Sequence, residues 1–149
     1  MRVAVFSDVQ GNLPAMEVVV NDILAWSPDL VVMNGDLVSR GALSLDCLKL
    51  FESMQQQHGW LPIKGNHEEY VLHCRQPPED QFEAEMRQFA DWTYQQMGES
   101  VHCMEAWPDH LTFHAPGCEE WVHVTHGTLA GNRNGISQSI PDESLPGKI

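Results

Sequence analysis

Apolar residues in the first half of the chain alternate between short runs and helical spacings. The runs at residues 3–6, 29–33 and 60–64 are typical of buried strands. Between them, apolar residues three or four positions apart predict two helices. The first begins near Asn12-Leu13-Pro14, and the second runs from about Ser44 to Gly59. The first helix is expected to bury its apolar positions, which are Met16, Val19, Val20, Ile23 and Leu24.

The second half of the chain has a different pattern. A helix is predicted over residues 80–97 and a shorter helical piece over about residues 100–107. Residues 111–115 and 121–125 predict a hairpin, and the residues that follow are rich in turn formers with no closing strand. Alternating strands and helices in the first half predict an α/β fold with parallel strands, and the length of 149 residues predicts a single domain over residues 1–149.

Polar segments follow four of the predicted strands. They are Ser7-Asp8-Val9-Gln10-Gly11-Asn12, Gly35-Asp36-Leu37-Val38, Gly65-Asn66-His67-Glu68 and Thr125-His126-Gly127. Ligands gather at the carboxyl ends of strands in parallel sheets, which is where Asp8, Asp36 and Asn66 are expected to lie. Acids, an amide and a histidine presented in this way favour a hydrolytic centre with two metal ions.

The ordered segments resemble the motifs of the calcineurin-like metallophosphoesterases, which run D-x-H, G-D, G-N-H-[DE], H-G and G-H-x-H. The chain has the first four in order, with Gln10 at the histidine of the first motif, and it contains no G-H-x-H. The resemblance is greatest to small bacterial and archaeal phosphatase-like members. It implies a four-layer α/β/β/α sandwich. Because the last motif and its strands are missing, we expect Ile149 to be a truncation point before the C-terminal strands.

The resemblance also implies a role for each motif residue. Asp36 would bridge two ions, with Asp8 and Gln10 completing the first ion and Asn66 and His126 the second. His67 would be the general acid, and Glu68 would orient it. Arg40 would hold the substrate phosphate, because Gly35-Asp36-Leu37-Val38-Ser39-Arg40-Gly41 is similar to the G-D-x-V-D-R-G stretch of phosphoprotein phosphatases, although Ser39 replaces an aspartate.

The predicted cofactor is a pair of divalent metal ions. The amide of Gln10 is a harder ligand than imidazole, which favours Mn²⁺, with Fe, Zn, Ni and Mg as alternatives. The predicted reaction is hydrolysis of a phosphate mono- or diester or a phosphoanhydride by metal-activated water. The substrate would be a small phosphorylated molecule or a phosphoprotein.

Charge and cysteine usage restrict the partners. The formal net charge of −13 argues against binding to nucleic acid or to anionic membranes. No apolar stretch approaches the roughly 20 residues that span a bilayer. The four cysteines form no C-x-x-C pair, which favours a reducing, cytoplasmic location.

Other interpretations of the same residues stay open. Asp8 could cap the first helix, Asp36 could be a turn residue, and Arg40 could be a solvated loop cation. In that case the chain would be a non-catalytic remnant of the fold that binds a metal or a partner. The coding sequence after Ile149 would discriminate between the two, since a G-H-x-H motif there favours the enzyme.

Overall fold

The computed structural model describes residues 1–136 and 140–147. Its strands are β1 (Val3–Phe6), β2 (Leu30–Asn34), β3 (Leu61–Ile63), β4 (His110–His114) and β5 (Trp121–Thr125). Its helices are α1 (Leu13–Trp26), α2 (Ser44–His58), α3 (Asn66–His73), α4 (Gln81–Met86) and α5 (Gln88–Met97), with 3₁₀ helices at Gly98–Ala106 and Asp142–Gly147. The predicted mixed α/β class is confirmed. The predicted truncation point, Ile149, lies outside the described residues.

Among these residues the strands form two sheets. β1, β2 and β3 are parallel in that order, with Val5 opposite Val32 and Val32 opposite Leu61. β4 and β5 form the predicted antiparallel hairpin, in which Thr112 pairs with His123. The parallel order places the carboxyl ends of the first three strands at one edge, because each return to the sheet is made through a helix.

The core lies between the parallel sheet and its helices. Met33, Leu48 and Phe51 are fully buried, and Phe51 packs edge-on against Trp107. α1 buries Met16, Val20 and Ile23, but Val19 and Leu24 are 38% and 36% exposed, so its buried stripe is narrower than predicted. α2 ends as expected at Gly59, whose left-handed conformation caps the helix.

The helices of the structure differ from the predicted ones at two places. The helix expected over residues 80–97 is divided at Arg87, which ends α4 and precedes α5. A helix that was not predicted, α3, begins at Asn66, inside the third polar segment. It was missed because Gly65-Asn66 also fits a simple turn, and only Glu68, three residues after Gly65, marks a helix start.

The four cysteines form no disulfide bond among the described residues. Burial raises the pKa of Cys47 to about 11 and that of Cys74 to about 12, so both thiols are protonated and unreactive at neutral pH. In the described part of the chain, no helix has the length and apolar character needed to cross a bilayer.

Candidate metal centre

The loops that follow β1 and β2 run side by side and are joined by backbone hydrogen bonds. The N–H groups of Asp8 and Gln10 donate to the carbonyl groups of Gly35 and Asp36, at 3.1 and 2.9 Å. These bonds continue the parallel pairing beyond the ends of the strands. They place the first two polar segments next to each other, as their positions in the sequence predicted.

The backbone at these positions is held in an uncommon conformation. Asp8, Gln10 and Asp36 have φ values of 57°, 48° and 56°, in the left-handed region that non-glycine residues seldom occupy. Each costs on the order of 1–3 kcal/mol and persists only where the surroundings fix it. Here the backbone bonds between the loops supply that constraint, so the carboxylates of Asp8 and Asp36 are positioned before any ligand binds.

Side chains from all four polar segments converge at this edge. Asp8, Asp36 and His126 offer ligand atoms that all lie within 4.8 Å of one another. The Nε2 atom of His126 is 3.3 Å from Oδ1 of Asp36 and 3.0 Å from Oδ1 of Asn66. Asp36 is buried and Asp8 is exposed, so the cluster opens toward solvent on the Asp8 side. The structure therefore brings together four of the residues predicted to bind metal.

The orientation of His126 depends on a residue that was not predicted. Its Nδ1 donates to the carbonyl oxygen of Asn34 at 2.8 Å, which leaves Nε2 facing Asp36 and Asn66. The side chain of Asn34 in turn donates to the carbonyl of Thr125. The sequence contained one weak indication that Asn34 belongs to the site, namely its position directly before Gly35-Asp36. Gly35 must lack a side chain, since a Cβ there would lie 2.6 Å from Nδ1 of His126.

Asp36 and His126 shift each other's pKa. Burial alone would raise the pKa of Asp36, but the hydrogen bond with His126 and the backbone N–H of His67 outweigh it and lower that pKa. The same hydrogen bond raises the pKa of His126 to about 9, against the opposing effect of burial and with support from the Asn34 carbonyl. Without metal, the pair is therefore a carboxylate and an imidazolium at neutral pH.

His67 lies against the same carboxylate. Its backbone N–H donates to Oδ1 of Asp36 at 3.0 Å, and its Nε2 lies 3.7 Å from Oδ2. Burial lowers the pKa of His67, and the nearby charge of Arg40 lowers it further. Within the described residues, the buried Nδ1 atom has no hydrogen-bond partner.

Glu68 has a different role from the one expected. It is fully buried, and its two carboxylate oxygens accept the backbone N–H groups of Gly65, Asp36, Leu37 and Val38 at 2.8–3.2 Å. Burial and the charge of Asp36 raise the pKa of Glu68, while these N–H groups oppose the rise. Both oxygens are thus engaged by backbone in the described residues. Glu68 holds the Asp36 loop instead of orienting the imidazole of His67.

Gln10 and Arg40 border the cluster. Both line a cavity of about 470 Å³ that also includes Asp8. Arg40 is exposed, adopts a left-handed conformation with φ of 59°, and lines a second cavity together with His67. Its guanidinium group forms no ion pair in the part of the chain that the structure describes. The predicted roles of Gln10 as a ligand and of Arg40 as a phosphate-binding group stay predictions.

The donor set fits a divalent metal ion. Carboxylate and amide oxygens with one imidazole nitrogen suit cations such as Mn²⁺, and their separation is short enough to share an ion. A Cβ at Gly65 would overlap the carboxylate of Asp36, so this glycine lets the third segment approach Asp36 closely. Asp8, Asp36 and His126 form a candidate metal site, with Asn66 beside it.

Comparison with known proteins agrees with this geometry. The chain matches the model of the calcineurin-like phosphoesterases over residues 1–145. The resemblance found in the four motifs is thereby confirmed. No curated protein matches the chain at a significant level.

Solved structures with the same fold are longer than this chain. A metallophosphoesterase from Sphaerobacter thermophilus is 28% identical with a TM-score of 0.56, and the match covers 74% of this chain and 43% of that one. A hypothetical protein from Pyrococcus horikoshii OT3 is 13% identical with a TM-score of 0.76, covering 99% and 63%. A protein provisionally named a diadenosine tetraphosphatase is 19% identical with a TM-score of 0.57, covering 95% and 54%. The chain thus spans about half the length of the solved structures it matches.

Proposed function

The chain belongs to the calcineurin-like phosphoesterase family, and from this premise we propose that it hydrolyses a phosphate ester or phosphoanhydride with two divalent metal ions. The observation that carries the proposal is the convergence of Asp8, Asp36 and His126, with Asn66 in contact with His126. A helix cap or a turn residue would not require this meeting of four separate segments. The alternative, a remnant of the fold that binds a metal without catalysis, shares this geometry and differs from the enzyme in lacking hydrolysis.

The residues would divide between the ions as the motifs suggest. Asp8 and Gln10 would hold the first ion, Asn66 and His126 the second, and Asp36 would contact both. Divalent cations in such a site act as Lewis acids and lower the pKa of a water molecule. We propose Mn²⁺ as the preferred metal, because oxygen atoms dominate the donor set on the Asp8 side.

Two further residues would act on the substrate. His67 would donate a proton to the leaving-group oxygen, and its unpartnered Nδ1 is the ring nitrogen available for that contact. Arg40 would bind the phosphate, since a guanidinium donates two parallel hydrogen bonds to phosphate oxygens. Its exposed position beside the cluster supports this role.

The substrate class of the proposal is a small phosphorylated molecule or a phosphoprotein. One structural neighbour is named for a dinucleotide substrate, but at 19% identity that likeness concerns the fold alone. We also propose a cytoplasmic location, which is consistent with the free cysteines of the described residues.

The test is a hydrolysis assay on the protein at its full encoded length. We expect Mn²⁺-dependent cleavage of p-nitrophenyl phosphate or its bis-ester, and we expect Asp36→Asn to abolish it. Cleavage by these 149 residues alone should be slow, because the resemblance assigns further ligands to a G-H-x-H motif that they do not contain. Tight Mn²⁺ binding without cleavage of either ester would contradict the enzyme and support a metal-binding module.

A further inference from the structure

A second cavity adjoins the candidate metal centre on the side of His67. It has a volume of about 510 Å³, within the range of pockets that hold a small organic ligand. His67 and Arg40 line its inner end, and residues of α3, α4 and α5 form the rest of its wall. A substrate phosphate at the metal centre would therefore extend its leaving group into this cavity.

The cavity is rich in cations although the protein is strongly acidic. The whole chain has 8 Lys and Arg against 21 Asp and Glu. Among the described residues that line the cavity, three are arginines (Arg40, Arg87 and Arg133) and one, Glu83, is an acid. Arg133 pairs with Glu69 at 3.4 Å through Nε, and its side chain remains 59% exposed. Clustered cations that oppose the overall charge favour an anionic ligand at this place.

Arg87 has unused capacity to bind an anion. Its side chain is 11% exposed. Its Nε donates a hydrogen bond to Asp91 at 3.2 Å, and its Nη2 donates one to the carbonyl of Gln76 at 2.8 Å. Its Nη1 is buried without a hydrogen-bond partner in the described residues, and Glu83 lies 3.6 Å away. Buried polar atoms are nearly always hydrogen-bonded, so an unpartnered guanidinium nitrogen indicates an acceptor that arrives with a ligand.

His67 adds a second unpartnered buried atom to the same wall. Its side chain is 8% exposed, and its Nδ1 has no partner among the residues described. Two residues that line one cavity therefore each keep a buried nitrogen free. Phosphate oxygens are acceptors of the kind that both nitrogens lack.

The remaining wall suits a flat apolar group. Arg133 lies over the ring of Tyr70, with 4.6 Å between the guanidinium carbon and the ring centroid. Met86 and Phe89 line the cavity and remain 69% and 68% exposed. Exposed aromatic faces beside arginine are the arrangement on which nucleic-acid bases stack.

We propose that this cavity binds a leaving group that is itself a nucleoside phosphate, so that the substrate is a phosphoanhydride. The proposal rests on the proposed function, and it adds the substrate class and the residues that select it. Arg87 and Arg133 would bind the leaving phosphate, while Tyr70, Met86 and Phe89 would contact the base.

The reaction on a terminal phosphate then balances as follows. The oxygen of water bonds to the terminal phosphorus, and the bond from that phosphorus to the bridging oxygen breaks. The nucleoside phosphate leaves with the bridging oxygen and its electron pair, and this oxygen takes the proton that His67 donates. One proton of the water stays on the released inorganic phosphate, and the other returns to His67 by way of solvent. Arg87 would stabilise the charge that develops on the leaving phosphate.

The test is equilibrium binding to the metal-free protein, which separates this cavity from the chemistry of the metal centre. AMP, inorganic phosphate and adenosine are titrated separately by calorimetry. We expect AMP to bind at least about tenfold more tightly than either fragment, because it alone engages both the arginines and the aromatic wall. Arg87→Gln should weaken AMP binding by about tenfold, the loss of one or two charged hydrogen bonds.

Arg2→Gln is the matched control, since it removes the same charge at the opposite edge of the sheet, where Arg2 binds the carbonyls of Trp26 and Ser27. It should leave AMP binding unchanged. If Arg87→Gln does not fold, as judged by its melting curve, the more exposed Arg133→Gln takes its place and should also weaken AMP binding.

Three results would overturn the proposal. The first is that AMP binds no more tightly than inorganic phosphate. The second is that Arg87→Gln and Arg2→Gln change AMP binding equally. The third is that a phosphoserine peptide binds and loses affinity in Arg87→Gln, whereas AMP does not bind. Hydrolysis of bis-p-nitrophenyl phosphate with Mn²⁺ is measured in parallel. Ester hydrolysis without selective AMP binding refutes the cavity assignment alone, and AMP binding without any hydrolysis refutes the proposed function alone.

Discussion

Replacement of Glu68 by glutamine tests how the candidate site is held together. The Glu68 carboxylate accepts four backbone N–H groups, two on each oxygen. Glutamine keeps one acceptor oxygen and presents an NH₂ group to the other two donors. Three of the four donors belong to residues 36–38, so the substitution acts directly on the loop that carries Asp36.

The expected magnitude follows from these contacts. A buried donor that loses its acceptor costs about 1–3 kcal/mol, so two such donors cost about 2–6 kcal/mol. Glutamine is neutral, so the substitution also removes the free-energy cost of burying a charge, which offsets part of this loss of stability. That cost exists because burial raises the pKa of Glu68 and thus opposes its ionised form. We expect a net loss of about 2–4 kcal/mol in the free energy of unfolding. Metal affinity should fall as well, because the Asp36 carboxylate is no longer fixed.

The assay is urea unfolding followed by tryptophan fluorescence, with Mn²⁺ affinity measured by calorimetry. Glu69→Gln is the matched control on the next residue of α3. Glu69 is partly exposed and contacts Asn132 and Arg133, so its substitution should cost less than about 1 kcal/mol. A Glu68→Gln protein that unfolds at the same urea concentration as Glu69→Gln, with normal Mn²⁺ affinity, would refute this account of Glu68.

Three other predictions concern the metal centre. Asp36→Asn should abolish binding of both metal ions, and Asn66→Ala should abolish binding of one, as counted by elemental analysis. Equal partial losses of metal in the two variants would show that Asp36 is not the bridge. His67→Ala should keep the metal content but lower kcat about 10²–10⁴-fold. The decrease in kcat should be smaller for a nitrophenol leaving group than for an alkyl leaving group. Loss of metal from this variant would contradict the role of His67 as general acid. The raised pKa of His126 means that its ion pair with Asp36 stabilises the metal-free fold fully below about pH 6.5 and weakens as the pH rises through about 9. Mn²⁺ must displace the proton from the His126 imidazolium, so Mn²⁺ affinity should increase with pH up to about pH 9, and binding below that pH should release a proton. An Mn²⁺ affinity that does not depend on pH would exclude His126 as a ligand.

Features that depend on neighbouring residues were predictable from the sequence. Strands β1 to β3, helices α1 and α2 and the β4–β5 hairpin follow from apolar spacing and from turn residues. The motif residues Asp8, Asp36 and Asn66 could be placed at one edge because parallel strands end on the same side of a sheet. His126 follows β5 of the separate hairpin, and only the resemblance in its motif associated it with the other three. These inferences need only the local pattern and the rule for crossover connections.

Features that depend on distant partners required the tertiary structure. Glu68 could not be assigned to the Asp36 loop from its motif, since its donors at residues 36–38 lie about thirty positions earlier in the chain. The orientation of His126 is set by the carbonyl of Asn34, 92 residues away. α4 ends and α5 begins at Arg87, and the side chain of Arg87 lines a cavity that Arg133 also lines.

The sequence by itself determined strands β1 to β3, helices α1 and α2, the β4–β5 hairpin and the motif residues at the carboxyl edge of the parallel sheet, because periodicity and turn chemistry are local properties. The tertiary structure alone decided which buried donors find acceptors and which, on Arg87 and His67, are left without one. That outcome depends on the distances between segments far apart in the chain. Such distances are fixed only when the core packs and every buried polar group must be satisfied at once.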